Sequence, residues 1–463
     1  MERLFDPGSI AIVGASSDAT KIGHVVLKNL ISSGYPGRIY PVNPSAKEIM
    51  GLYCYPTIKS IQSKVDLCVI GIPALGAVSV LRECVDSLIP YVIMIPGGFA
   101  ETGKQGEALQ NEVKDIISGK ITRVIGPNTV GIYVPGKQVN TTLTPAERVA
   151  FPPDGVISFV SQSGALGLLT MDTISEFETG INAFINVGNR ADLDEIDFLR
   201  YFLKDKKTKA IALYVESIPR GRDFYKALRE TSEDKPVIIL KSGRTNVSAK
   251  AAQLHTGSLA TNDRVLDGIL KQAGVIRVAN ETELLDASRA LAYSKLPLGN
   301  RVVVITTAGG VGVLTVDFIT SSRTAVLKIA ELSDSLKEKI KHIILPIASA
   351  ENPIDLTADG SVEQIDRIIG LINESGEADL VVLFALPQTP KMDQSIVDVI
   401  FKYKESGIPI IVGVLGYKEA RDIRVSLENN MIPSYPDVSR TVSAAEHLVI
   451  YSRYRRRLRE VPL

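Results

Sequence analysis

Short apolar runs alternate along most of the chain with longer stretches whose apolar positions recur at helical spacing. Apolar runs bounded by glycine and proline read as buried strands, and the longer stretches read as amphipathic helices. In the first part of the chain the pattern predicts strands over residues 10–13, 38–42, 66–70, 91–95 and 123–125. Helices are expected over 22–31, up to 86, and over 106–117. A second alternation begins at Gly155, with strands over 156–160, 181–185, 210–215, 237–240 and 275–278. A third begins at Arg301, with strands over 302–305, 380–384 and 408–412 and a last helix over 438–457. Buried strands alternating with helices build parallel, doubly wound sheets. The expected fold is therefore α/β, with three doubly wound units over 1–130, 150–295 and 298–463. The Pro- and Thr-rich segment 133–153 is expected to be a linker, and 294–299, with Pro297, a second boundary.

The length of 463 residues agrees with three domains of roughly 150 residues each. The formal net charge is zero, without a basic stripe or an acidic tail, so no nucleic-acid partner is expected. The cluster Arg453, Arg455, Arg456, Arg457 reads as the solvated last turn of a helix, where cations suit the dipole. The three cysteines, Cys54, Cys68 and Cys84, are odd in number and not closely paired. That count argues against a disulfide framework and against a zinc site, and no metal ligand set is expected. It suits a reduced, cytoplasmic compartment. No apolar signal core opens the chain, and its apolar stretches are broken by Pro, Gly and charge, so no membrane association is expected.

The stretch from Lys241 to Asp263 leaves one predicted strand and enters a helix expected over 265–272. Between them lie small and polar residues with His255 near the centre. A loop this long in a compact domain is usually functional or disordered. Read alone, His255 also fits a surface histidine. An internal echo changes that reading. Residues 161–172 (SQSGALGLLTMD) and 306–317 (TTAGGVGVLTVD) align without a gap, each opening a helix after the first strand of its unit. Gly164 falls on Gly309 and Gly167 on Gly312. Strand-to-helix turns are common in α/β folds, but the shared Leu-Thr-x-Asp tail favours a duplicated device. Such a turn offers free backbone N–H groups and a positive dipole end to a phosphate. Gly164, Gly309 and Gly310 would supply the backbone, and Ser161, Ser163, Thr306 and Thr307 hydroxyl donors. Neutral imidazole is a competent nucleophile and can carry a phosphoryl group. The combination points to a phosphohistidine at His255. A carboxylate accepting its Nδ1 proton would orient the ring. Glu216 is the candidate, at the carboxyl end of strand 210–215, the edge where open sheets bind ligands. Local pairing or capping by Glu216 is the alternative.

The first unit opens with Gly14-Ala15-Ser16 and reaches Lys21 and Gly23. This occupies the place of a dinucleotide fingerprint without its spacing. The second strand ends in Pro41-Val42-Asn43-Pro44, with no acid to take ribose hydroxyls, which argues against NAD. Ser16 and Lys21 suit a phosphorylated nucleotide at the helix start. Further strand ends carry Ile72-Pro73, Gly97-Gly98-Phe99 and Gly126-Pro127-Asn128, where glycine and proline let a ligand approach the backbone.

Together these motifs, with Tyr214-Val215-Glu216, His255-Thr256-Gly257, Ala308-Gly309-Gly310 and Asn352-Pro353-Ile354-Asp355, resemble one family over nearly the whole chain. It is the α subunit of the ADP-forming acetate–CoA ligases, within the succinyl-CoA synthetase superfamily. The resemblance implies a Rossmann-like first unit that binds coenzyme A and two flavodoxin-like units after it. Gly14, Ala15, Ser16, Lys21 and Asn43 would lie near the nucleotide end, with Ile72, Pro73, Gly98, Phe99 and Asn128 at the other strand ends. Phosphate would attack an acyl-CoA thioester, and His255, steadied by Glu216 and the helix at Ser163, would take the phosphoryl group from the acyl phosphate. Gly309 and Gly310 would form the tip of a second phosphate-binding helix. A separate β subunit with an ATP-grasp domain would supply ADP or ATP and Mg2+, in an α2β2 assembly. Leu254 stands where the family usually has serine, and Thr307 and Val311 where it often has asparagine and proline. Two other readings are a non-catalytic CoA-binding regulatory module and a succinate–CoA ligase subunit, although the latter lacks a third unit. The preferred acid is not specified by the residues.

Overall fold

A computed structural model of the protein describes residues 1–177, 179–245, 247–248, 262–405 and 407–460. His255 and the centre of its stretch lie outside the described residues. Two compact units are formed. One comprises Met1–Glu176, Gly180–Thr231 and Ile239–Ala273; the other comprises Phe177–Thr179, Ser232–Ile238 and Gly274–Leu463.

The first unit contains a five-stranded parallel sheet in the order Arg38–Val42, Ser9–Val13, Leu67–Ile70, Tyr91–Met94, Arg123–Ile125. Ser9–Val13 and Leu67–Ile70 are buried at every position, as expected when helices cover both faces of a parallel sheet. In chain order this is 2-1-3-4-5. The winding reverses between the first and third strands, which opens a crevice at their carboxyl ends. The same unit holds a second run of strands, Ile181–Asn186, Asp154–Ser161 and Ala210–Val215, again in the order 2-1-3.

The segment expected to be a linker is part of that second sheet. Ile132–Val134 pairs antiparallel with Ile181–Asn186, and Val139–Asn140 pairs antiparallel with Ile132–Val134. Pro135 and Gly136 open the Pro135–Lys137 turn, and Thr141 and Thr142, just past Val139–Asn140, are buried rather than solvated. Asn29, on the helix Ile22–Ser32, donates to the Thr142 and Thr144 carbonyls at 2.9 Å each. That bond ties a helix of the first sheet to the hairpin of the second.

The second unit carries Lys328–Ile329, Arg301–Thr306, Leu380–Ala385, Ile410–Val414 and Ser434–Tyr435, in parallel. Ile354–Asp355 adds a short pairing to the end of Arg301–Thr306. With that short strand set aside, the order is again 2-1-3-4-5. The last helix is Val438–Glu460. Its arginines are not merely solvated: Arg453, Arg455 and Arg456 donate to the carbonyls of Val326, Glu233 and Leu298 at 3.3, 3.2 and 2.8 Å. Among the described residues no helix is long and apolar enough to cross a membrane.

A buried ion network anchors the helix Glu281–Tyr293 in this unit. Arg289 is 2% exposed, donates to Glu428 and to the Ser434 carbonyl, and meets Asp286 at 3.2 Å. Arg440 grips Asp286 with two bonds, at 2.6 and 2.8 Å. Removing one member of such a network strands a desolvated charge, at a cost of about 3–5 kcal/mol. Arg289→Met is therefore expected to lower stability by about that amount in chemical denaturation. A change below about 1 kcal/mol would show that Glu428 is satisfied by other groups.

Candidate functional site

The switch point of the second sheet lies between Asp154–Ser161 and Ala210–Val215. The helix Gly164–Glu176 starts three residues past the first of these strands. It can approach so closely because residue 167 has no side chain. A Cβ there would lie 2.7 Å from the Phe184 ring and 3.2 Å from the Ser161 Cβ. Ser161 is fully buried, and its hydroxyl donates to the Ser163 carbonyl at 2.7 Å, so it shapes the turn from below. Asn186 braces the turn from the next strand. It donates to the Ser161 carbonyl at 2.9 Å and accepts from the Val130 N–H at 2.8 Å.

A cavity of about 490 Å³ opens over this turn. Its walls include Ser163, Gly164 and Ala165 from the helix start, Glu216 from the end of Ala210–Val215, and Asn128 from the first sheet. The structure thus brings together Ser163, Gly164, Glu216 and Asn128 of the residues singled out in sequence. The same wall holds residues that sequence reasoning passed over: Gln162, Arg190, Asn189 and Glu101. Asn189 donates to Glu101 at 2.5 Å and to Gln110 at 3.0 Å, and accepts from Asn128 at 3.2 Å. This amide chain joins the carboxyl edges of the two sheets. Partial burial works against the charge on Glu101. The bonds it accepts from Asn189 and from the Gly98 and Phe99 N–H groups outweigh that and hold its carboxyl below the usual range.

The echo at 306–317 has the same internal bonding. Thr306 is fully buried, and its hydroxyl donates to the Ala308 carbonyl at 3.1 Å. Thr170 and Thr315 each donate to the carbonyl four residues back at 2.7 Å. Both helices, Gly164–Glu176 and Gly309–Ser321, have 13 residues. The hydroxyls of Ser161 and Thr306 are therefore spent inside their turns. That of Thr307 is buried, with no partner among the described residues. The second turn is built by the motif at 352–355. Asn352 plugs the ladder, donating to the Val302 and Ala330 carbonyls and accepting from the Val304 N–H. Pro353 packs against Gly312. Asp355 stands so close to the helix start that a Cβ at Gly309 would lie 2.7 Å from its Oδ2. Gly310 faces open space.

At the switch point of the first sheet, Gly14 has φ +88, and a Cβ on it would meet Ile72 at 2.6 Å. A Cβ on Gly23 would lie 2.0 Å from the Gly14 carbonyl oxygen, so the helix Ile22–Ser32 closes directly onto that turn. Asn43 donates to the Ala15 carbonyl at 2.8 Å and accepts from Ser45, which makes it a brace of the turn. Ser16 accepts from the Asp18 N–H, and His24, unremarked in sequence, meets the Ser16 carbonyl at 3.0 Å through Nδ1. Lys21 is the exposed residue preceding the helix, and Pro73 precedes the helix Ala74–Asp86. Gly98 has φ +99. The Phe99 side chain is fully enclosed in the core beneath this edge, so only its backbone can face the crevice.

Three family profiles match in series: a CoA binding domain over residues 8–135, a succinyl-CoA ligase-like flavodoxin domain over 154–291 and a ligase-CoA domain over 302–456. The α subunit of acetate–CoA ligase [ADP-forming] I of Pyrococcus furiosus is 35% identical, with 99% of each chain covered. The chain belongs to the α-subunit family of the ADP-forming acetate–CoA ligases. A single-chain acetate–CoA ligase [ADP-forming] of Methanocaldococcus jannaschii is 34% identical over 96% of this chain but only 62% of its own length. The same fold occurs in the dinucleotide-forming acetyl-coenzyme A synthetase 1 of Ca. Korarchaeum cryptofilum, solved with phosphate and ADP. That chain is 34% identical, with a TM-score of 0.91 and coverage of 100% of this chain and 99% of that one. Within this ligase family the chain is a subunit of an ADP-forming acyl-CoA synthetase.

The paired turns differ in how tightly their packing glycines are held. Alanine at 167 meets an aromatic ring at 2.7 Å, whereas alanine at 312 meets Pro353 and Thr306 carbons at 3.2 Å. Overpacking costs about 1–3 kcal/mol, and replacing a helical glycine by alanine gains about 1 kcal/mol. Gly167→Ala is expected to destabilise by about 1–2 kcal/mol and Gly312→Ala to be near neutral in thermal denaturation. Equal losses at both sites would contradict the packing reading of Gly167.

Proposed function

We propose that the chain is the catalytic α subunit that forms and relays a phosphohistidine. The observation that carries this is the shared cavity. It sets the helix start at Ser163 and Gly164, the carboxylate of Glu216 and Asn128 of the CoA-binding-type sheet around one space. Phosphate oxygen attacks the acyl-CoA carbonyl, the C–S bond breaks, and CoA leaves as thiolate and takes up a proton. The products are an acyl phosphate and CoA. His255 Nε2 then attacks phosphorus, and the P–O bond to the acyl group breaks, releasing the carboxylate. Glu216 accepts the Nδ1 proton of the ring and holds it for in-line attack. The helix start faces the phosphoryl oxygens with N–H groups that have no partner inside the helix. Finally a terminal oxygen of ADP attacks the phosphorus, giving ATP and free His255. The second turn, at Gly309 and Gly310, receives the phosphoryl group for that step.

In this reading residues 1–130 form the CoA-binding domain, 150–295 the phosphohistidine domain and 298–463 the ligase domain. Gly14, Ala15, Ser16, Lys21 and Asn43 form the cradle for the nucleotide end of CoA. The left-handed Gly14 and the closely packed Gly23 fit this, because they bring a helix start to the switch point. ADP and Mg2+ enter with a β subunit in an α2β2 assembly. Two facts support a nucleotide-binding partner: the relative matched over 99% of each chain is itself an α subunit, and the solved relative is in complex with phosphate and ADP. The three cysteines are unpaired, in keeping with a reduced cytoplasm.

Incubating the assembled α and β chains with an acyl-CoA and labelled phosphate tests this reading. Acid-labile, base-stable label is expected on the α chain and should be absent from His255→Ala. Label that persists in His255→Ala would reject the assignment, and CoA binding with no label in the wild type would favour a regulatory module.

A further inference from the structure

Between the two serines of the first turn stands Gln162, whose amide is saturated. Its Oε1 accepts from two successive backbone N–H groups, Glu216 at 2.8 Å and Ser217 at 3.0 Å. Its Nε2 donates to Glu195 Oε1 at 2.6 Å and to the Ser217 carbonyl at 2.9 Å. Two acceptor sites and two donors exhaust what a glutamine amide offers, and a flipped amide would set donor against donor. The bonding therefore admits one orientation.

The partners behind Gln162 are themselves fixed. Glu195 is 4% exposed and opens the helix Glu195–Lys204, where an anion is favoured by the dipole. The Arg190 guanidinium lies 3.6 Å from the same Glu195 oxygen. Arg190 also donates to the Ser217 carbonyl at 3.1 Å and to the Ser217 hydroxyl at 2.6 Å. Its backbone is left-handed, φ +56. Burial pushes the Glu195 carboxyl up, and Arg190 and Gln162 oppose that shift.

We propose that Gln162 is a positioning residue that fixes the distance between Glu216 and the phosphate turn, with Glu195 and Arg190 as its abutments. Gln162 is part of the turn, because Ser163 and Gly164 follow it directly. It is also the acceptor for the Glu216 N–H. A single side chain therefore ties the backbone that carries the Glu216 carboxylate to the helix start. This inference rests on the role given to Glu216 above.

A double-mutant cycle in the assembled α–β enzyme tests it, read as the rate of label transfer from acyl-CoA and labelled phosphate. Misplacing a catalytic group by about an ångström costs roughly 100-fold. Glu216→Gln and Gln162→Ala are each expected to slow transfer by roughly 10- to 100-fold, with the KM for acyl-CoA within about twofold of wild type. The double variant should be no slower than Glu216→Gln alone, because Gln162 acts through Glu216. Losses that multiply, or a KM that rises in step with the fall in kcat, would overturn the positioning role while leaving that of Glu216 intact. A wild-type rate in Glu216→Gln would instead overturn the role of Glu216, and this inference with it. Should Gln162→Ala fail to fold, Glu195→Gln keeps the side-chain shape and removes the charge. Its smaller loss should likewise vanish in the Glu216→Gln background.

Discussion

The first N–H groups of a helix have no carbonyl partner within that helix. In this chain the constraint is placed at the carboxyl edge of parallel sheets, where strand and helix meet in a short turn. Three sheet segments share the winding 2-1-3, so each has a switch point beside its first strand, with a two-residue turn in the second and third segments. The rest of the local sequence serves to hold the turn open toward the crevice. Ser161 and Thr306 bond inward, Gly167 and Gly312 let the helix press on the sheet, and Asn186 and Asn352 close ladder positions that the turn leaves unfilled. Under the proposed function, the first N–H groups of each helix are then left for a phosphate.

The two echoed turns are alike in bonding and unlike in charge. Gly164 is approached by Val130 and by the neutral amide of Asn186. Gly309 is approached by the carboxylate of Asp355. An anion at the first turn meets an aliphatic side chain and a neutral amide, with Arg190, Glu101 and Glu216 further along the cavity wall, whereas at the second it meets a carboxylate beside the helix start. The duplication is thus one of backbone device rather than of electrostatic setting. The first turn is also coupled to the CoA-binding-type sheet, through the amide chain Asn128–Asn189–Glu101. A thioester held by one sheet and a phosphate held by the next would share a single wall.

Much of this was legible in the residues. Apolar runs bounded by polar or turn residues announce strands, and Arg38–Val42, Arg123–Ile125 and Ala210–Val215 fall where the pattern puts them. Ile410–Val414 starts two residues later than expected because Pro409, at its edge, lacks the N–H for a ladder bond. Two-residue strands such as Ile354–Asp355 carry no period and were invisible. The hairpin at 132–140 was misread as a linker because its proline and threonines look like slack when their partner strand is unknown. At the site, hydroxyl and glycine positions were readable, since turn chemistry is local. Gln162, Arg190 and Glu195 were not. Each acts through a partner more than 25 positions away, and a saturated amide cannot be told from a solvated one without coordinates.

The central claim is that backbone N–H groups of the turn after Asp154–Ser161 hold the phosphoryl oxygens. Backbone amide resonances of the chain, followed by NMR while orthophosphate is added, address it directly. The account predicts shifts centred on Gly164 and Ala165 that saturate with phosphate and persist in a His255→Ala background. Saturating shifts confined to other parts of the chain, with Gly164 and Ala165 unmoved, would contradict it.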